Sequence, residues 1–266
     1  MDRMNPMLDM KQIETFYPDF LRPFKKNLLR EYLQYKILEA LFDSPFGKHV
    51  SFMGGTAIHI LHGSHRFSED LDFDNQDLSP DDFKSLVSQI IRRISRQGYD
   101  IESTVIIKNA FRAYLKFPEI LYKYKISPHR KEKLSIQIDT EPQDVPYSNE
   151  QFILNKFDVF QRINSVPMDL LLSQKILCVL TRPRIIGRDF YDIIFLLGKT
   201  QVDFSYLRKK INIRDPDMLK KRLLEKCMDV DFKQLARGIS PFLYNPDDAQ
   251  KVSLFPDYIK EMDFKK

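Results

Sequence analysis

Phe52-Met53-Gly54-Gly55-Thr56 and Asp70-Leu71-Asp72-Phe73-Asp74 carry the strongest local structural signals in the chain. His49 to Met53 is short, apolar and strand-like, and it runs into a glycine pair. Thr56 to His62 has the pattern of a helix entered from that turn, with Gly63 as its stop. Asp70 to Asp74 alternates acidic and apolar residues, the period-2 signature of a strand with one buried face. Strand, glycine turn, helix and acidic strand follow one another within about two dozen residues.

Working outward, Phe24 to Phe42 reads as an amphipathic helix, with Leu28, Leu29, Tyr32, Leu33, Ile37, Leu38 and Leu41 at three-to-four spacing. Ser79-Pro80-Asp81-Asp82 is a helix start, with Ser79 as cap and Pro80 in the first helical position, and Gly98 closes that helix near Gln97. Ile101–Ile107, Phe111–Phe117 and Leu134–Thr140 read as strands. A proline-containing polar connection, Glu141 to Asn149, precedes helical periodicity over Met168–Leu180, Asp189–Leu197, Phe204–Ile211, Met218–Met228 and Phe232–Gly238. The expectation is an α+β chain with a mixed central sheet. Residues 1–145 form its α/β domain and 146–266 a helical domain.

Composition is that of an ordinary globular protein, 43% apolar and 30% charged over 266 residues. No run approaches the roughly 18 apolar residues that span a bilayer, and Met1 to Met10 lacks a signal-peptide core, so a cytoplasmic, non-membrane protein is expected. Cys178 and Cys227 form no CxxC or Cys/His group and are expected to be free and buried. The net charge is +5. Basic clusters at Lys123–Lys133, Arg182–Arg188, Arg208–Lys210 and Lys220–Arg222 suit a polyanion such as RNA, or equally a set of solvated helix faces.

On a strand, Asp70, Asp72 and Asp74 share one face while Leu71 and Phe73 point the other way. Aligned carboxylates repel unless a cation sits among them, and oxygen-only donors favour Mg²⁺ or Mn²⁺. The Gly54-Gly55-Thr56 turn, at a helix start fifteen residues before Asp70, lets backbone N–H groups approach a phosphate. Each half has a bland reading, a loop triplet and a capped core helix; together they point to nucleotide chemistry. His59, His62 and His65 have neither a thiol nor an unbroken helix to make them a zinc site.

Gly54-Gly55-Thr56-Ala57-Ile58 followed by Arg66-Phe67-Ser68-Glu69-Asp70-Leu71-Asp72-Phe73 resembles the signature of the AbiEii/AbiGii-type nucleotidyltransferase toxins, of the DNA polymerase β-like nucleotidyltransferase superfamily. The resemblance extends to Lys175, Arg182 and Arg188-Asp189-Phe190-Tyr191-Asp192-Ile193. It implies a nucleotidyltransferase-like palm that transfers NMP from an NTP to an acceptor hydroxyl, with a cognate antitoxin and a tRNA 3′ end as a candidate acceptor. Asp70 and Asp72 would be metal ligands, and Asp139 the third carboxylate or base. Gly54, Gly55, Thr56, Ser68 and Lys175 would meet the phosphates, and Asp189 and Asp192 the nucleotide or Lys175. From the residues alone, Asp139 also reads as a turn residue before Pro142, Lys175 as a snorkelling rim lysine and Asp189 as a helix cap. The alternatives in function are a non-catalytic nucleic-acid binder on a transferase fold and a small-molecule (antibiotic-type) nucleotidyltransferase.

Overall fold

The protein is described by a computed structural model covering residues 7–264. Its chain divides into two compact units. The first comprises residues up to Ala57, Ser68–Asp144 and Asn149–Ser165; the second comprises Ile58–Phe67, Val145–Ser148 and the chain from Val166 onward.

The first unit is built on seven strands: β1 (Val50–Met53), β2 (Leu71–Asn75), β3 (Glu102–Ile107), β4 (Phe111–Phe117), β5 (Leu134–Glu141), β6 (Glu150–Lys156) and β7 (Val159–Ser165). They form one sheet in the order β3-β4-β5-β2-β1-β7-β6. The sheet is mixed, as expected: β2 runs parallel to β5 and β1 to β7, and the other neighbours are antiparallel. Phe52, Phe73, Ile136, Ile138, Ala113 and Leu115 are fully buried on one face. Against that face pack α2 (Lys25–Phe42) and α4 (Pro80–Arg96), which follow the short α1 (Met10–Glu14) and, in the case of α4, α3 (Gly54–His62). Phe42 meets Phe73 and Phe83 meets Phe111, with ring centroids 6.2 and 5.6 Å apart.

α4 begins as its sequence predicts. The Ser79 hydroxyl accepts from the Asp82 N–H, the Asp82 carboxylate accepts in return, and Pro80 opens the helix. α2 differs from the expected amphipathic helix. Its seven apolar positions are all completely buried, but Glu31, Gln34 and Lys36 are buried as well. Glu31 is matched by Lys156 at 2.7 Å and Lys36 by Asp158 at 3.1 Å, and Gln34 Nε2 donates to the Ser68 carbonyl at 3.1 Å while its Oε1 has no partner among the described residues. A helix covered on all sides is an interior helix, and its charged residues persist there because they are paired.

The β6–β7 hairpin lies in the stretch expected to open the helical half. It places the sheet's last two strands at residues 150–165 and so extends the first unit about twenty residues past the expected limit of 145. Phe157 and Asp158 form its two-residue turn, with Phe157 at φ 59°. A bulky residue in the left-handed region is strained. The Phe157 ring holds it there, lying 4.9 Å from Phe16 and 5.2 Å from both Tyr32 and Tyr35.

The second unit is helical: α6 (Met168–Thr181), α7 (Gly187–Leu197), α8 (Phe204–Ile211), α9 (Pro216–Cys227), α10 (Phe232–Ile239), α11 (Gln250–Ser253) and α12 (Phe255–Glu261); the remaining short helix, α5 (Ile120–Lys123), belongs to the first unit. Phe190, Phe232 and Phe255 form its aromatic centre, with centroids 4.7 to 6.1 Å apart. Gly187 opens α7 where an added Cβ would lie 2.7 Å from the Leu235 carbonyl oxygen, so only glycine permits this approach to α10. Cys178 and Cys227 form no disulfide and are half-buried, rather than buried outright; burial pushes the Cys227 thiol up to about 11. Among the described residues no helix is long and apolar enough to cross a membrane.

Candidate active site

The sheet face opposite α2 and α4 is polar, and strand register assembles it. Directly paired residues share a face. β2 and β5 therefore set Asp72 beside Asp139, β4 sets Arg112 beside Asp139, and Tyr114 lies beside Gln137. Asp139 is half-buried and held on both oxygens: Arg112 Nε donates to Oδ1 at 2.6 Å and Gln137 Nε2 to Oδ2 at 2.5 Å. The carboxylate of Asp139 in turn makes the Arg112 guanidinium harder to deprotonate, first by the hydrogen bond and then by its charge. Asp70 was expected to open the strand but lies one residue ahead of β2, which starts at Leu71. Asp74 is buried, and its Oδ1 accepts from the Gln143 N–H at 2.8 Å, which anchors the chain leaving β5.

Gly54 supplies the turn between β1 and α3, at φ +77°. A Cβ on it would stand 2.2 Å from Asp72 Oδ2 and 2.8 Å from Asp72 Cβ and Cγ. The position thus requires glycine twice over, for its backbone angle and for the space Asp72 occupies. Gly55 and Thr56 are buried, and the Thr56 hydroxyl donates to the Asp70 carbonyl, tying the helix start to the strand entrance. Ser68 is half-buried, and its carbonyl accepts from Gln34. In this structure the glycine turn and Thr56 position Asp70 and Asp72.

For a divalent cation the donor chemistry is suitable: Asp72 and Asp139 are adjacent oxygen donors, with Asp70 one residue ahead of β2. Among the described residues no group of three or more His, Cys, Asp or Glu is gathered for a metal. Mg²⁺ does not need an all-protein cage, since it is commonly held by one or two carboxylates together with substrate phosphates and water. The residues therefore fit an ion that arrives with a nucleotide.

The second unit holds the other predicted group. Asp189 and Asp192 lie on α7 and Lys175 on α6, and its ammonium is 3.0 Å from Asp189 Oδ1 and 3.0 Å from Asp192 Oδ2. Arg66 closes the cluster: its Nε and Nη2 each donate at 2.6 Å to the two oxygens of Asp192. Arg182 Nη1 donates to Asp189 Oδ2 at 2.9 Å. Arg66 is 1% and Asp192 0% exposed, so this fork is a fully desolvated ion pair. Burial alone would make Lys175 a weaker base, but Asp189 and Asp192 outweigh it and hold the ammonium protonated well above its ordinary range. Burial likewise opposes ionisation of Asp192, and Arg66 and Lys175 overcome it and keep the carboxylate low.

Arg66 braces its loop through a residue 126 positions away, and the segment runs alongside Phe242–Tyr244, where the Phe67 N–H donates to the Phe242 carbonyl at 2.7 Å. Of the three histidines, His59 is buried, with Nδ1 2.8 Å from the Ser64 carbonyl, and His65 stacks on Tyr244. Burial, then the charge of Lys199, pushes His62 down to about 4. Sequence reasoning missed Arg112 and Gln137. Both sit at polar positions of alternating strands, but only the β4–β5 register brings them to Asp139.

The fold is similar to two solved structures. One is the crystal structure of JHP933 from Helicobacter pylori, at TM-score 0.52 and 19% identity over 88% of this chain and 91% of that one. The other is an H. pylori protein described as a candidate nucleotidyltransferase, at TM-score 0.50 and 19% identity over 88% and 94%. No curated protein matches the sequence significantly. The family model described as "Nucleotidyl transferase AbiEii toxin, Type IV TA system" matches residues 36–252, a span that contains both residue groups above. The chain belongs to the AbiEii nucleotidyl transferase toxin family.

Proposed function

We propose that this chain transfers NMP from an NTP to an acceptor hydroxyl, using Mg²⁺ or Mn²⁺ at the polar sheet face. The observation that carries the proposal is the juxtaposition of Asp72 and Asp139 on adjacent parallel strands, with Gly54 packed directly on Asp72. Asp70, Asp72 and Asp139 would hold the divalent cation, which supplies neutralisation of triphosphate charge and a more acidic acceptor hydroxyl. Asp139 takes the acceptor's proton as that oxygen bonds to the α-phosphorus and the bond to pyrophosphate breaks. Arg112 and Gln137 fix the orientation of Asp139 for this transfer. Gly54 keeps the approach to Asp72 free of side-chain atoms, and Gly55, Thr56 and Ser68 shape the phosphate-facing turn.

In this reading Lys175 takes a different part from the phosphate contact expected of it, and Asp189 and Asp192 take the pairing with Lys175 that was their alternative to a nucleotide contact. Their mutual ion pairs, shared with Arg66 and Arg182, support a role as the charged anchor of the helical unit. Family membership implies an antitoxin partner and a nucleotide substrate. An RNA acceptor such as a tRNA 3′ end is proposed from the basic clusters. The test is incubation with each α-labelled NTP and Mg²⁺ against total tRNA, total protein and aminoglycosides. Label is expected in the tRNA fraction from one preferred NTP. Label in the protein or aminoglycoside fraction alone would refute the RNA acceptor, and label in none would refute transfer to these three classes.

A further inference from the structure

Among the described residues β6 is an edge strand, with β7 on one side and no strand on the other. In a two-residue hairpin the residues flanking the turn, here Lys156 and Val159, form a hydrogen-bonded pair. Alternation then turns the N–H and C=O of Phe152 and Leu154 toward β7, and those of Gln151, Ile153 and Asn155 outward. Edges of this kind are usually blunted by a proline, a bulge or a central charge. β6 reads Glu-Gln-Phe-Ile-Leu-Asn-Lys and carries none of these at its centre. Its outer face instead presents two large apolar side chains, Ile153 at 54% and, on β7, Phe160 at 70% exposure.

The strand is complementary to itself. Laid antiparallel on a second copy with Ile153 on the two-fold axis, Glu150 falls opposite Lys156, Gln151 opposite Asn155 and Phe152 opposite Leu154. Amide meets amide and apolar meets apolar, with Ile153 against its own copy; Lys156, already held by Glu31 at 2.7 Å, faces Glu150 without leaving that pair. The parity agrees as well: the three residues whose backbone groups point outward are the three that would exchange about six main-chain bonds in this register.

We propose that two copies of this chain associate through β6, joining their sheets in an isologous dimer centred on Ile153. The experiment is sedimentation-equilibrium analysis of the full chain over a hundredfold concentration range. The wild type is expected at dimer mass at the upper concentrations. Ile153→Lys puts two like charges on the axis, and Ile153→Pro removes an N–H that the hairpin itself does not use. Each is expected to weaken dimerisation at least tenfold, with unchanged circular dichroism. A second readout reports register. In a chain carrying Cys178→Ser and Cys227→Ser, Ile153→Cys is expected to oxidise to a covalent dimer, whereas Gln151→Cys, facing Asn155, is not. Monomer mass throughout, a dimer indifferent to both Ile153 variants, or equal crosslinking at 151 and 153 would overturn the proposal.

Discussion

Asp192→Ala is expected to destabilise the protein by about 3–5 kcal/mol, the range for removing one partner of a buried ion pair. Asp192 is wholly buried and receives the Arg66 guanidinium in a two-bond fork at 2.6 Å and the Lys175 ammonium at 3.0 Å. Without it, among the described residues Arg66 retains its bond to the Phe67 carbonyl and Lys175 its pair with Asp189. Two cations would then share an interior with one carboxylate, which itself also serves Arg182. Urea denaturation measures this as a lower midpoint at unchanged slope. Asp192→Ala combined with Arg66→Met should recover part of the loss, because the charge left unpaired is removed with its partner.

The pH dependence has a defined sign. The folded state holds Asp192 below its ordinary value of 3.8, so its contribution is present above that value and is lost as pH falls through the folded one. Lys175 is held above its ordinary 10.5, so its contribution is present below 10.5 and is lost only as pH rises past the folded value. The cluster should therefore support a stability plateau between these limits, eroding first on the acid side. In Asp192→Ala the acid slope should be shallower.

Gly54→Ala is expected to reduce nucleotidyl transfer by about a hundredfold, the penalty for misplacing a reacting group by about an ångström. The new methyl would stand 2.2 Å from Asp72 Oδ2, so the carboxylate or the turn must move. The φ of +77° adds strain of about 1–3 kcal/mol for any residue with a side chain. A control separates geometry from general sensitivity: Gly238 lies exposed in α10 with nothing within 4 Å of an added Cβ. Gly238→Ala should leave activity unchanged and stabilise slightly, as alanine does in a helix.

Much of this architecture was legible in the sequence because local chemistry and fold agree where the patterns are strong. Ser79-Pro80-Asp81-Asp82 is a capped helix start in both, and Phe111–Phe117 is a strand with the same limits in both. The β6–β7 hairpin was not legible. Its turn, Phe157-Asp158, contains no glycine or asparagine, and the positive φ of Phe157 is supported by aromatic rings contributed from residues 16 to 35. Turn chemistry cannot be read from a residue whose conformation is imposed by tertiary packing.

The same limit applies to the site. The carboxylates Asp72 and Asp139 were recognisable as residues, but their neighbours were not. Arg112 reaches Asp139 only through strand register, and Arg66 reaches Asp192 across 126 positions. Lys175 reads from the sequence as a phosphate contact or a rim lysine. The two carboxylates that surround it, and the guanidiniums that share them, come from other elements and support the anchoring role proposed above.

The most direct test of the central claim compares Mg²⁺-dependent transfer of labelled NMP, with pyrophosphate release, between the wild type and Asp72→Asn at matched circular dichroism and melting temperature. The substitution keeps the size of the side chain and its place beside Gly54 and Asp139, and removes only the charge. The wild type is expected to transfer NMP until the metal is chelated, and Asp72→Asn to transfer at background level. Transfer by Asp72→Asn at the wild-type rate would refute a role for the Asp72 charge in the reaction.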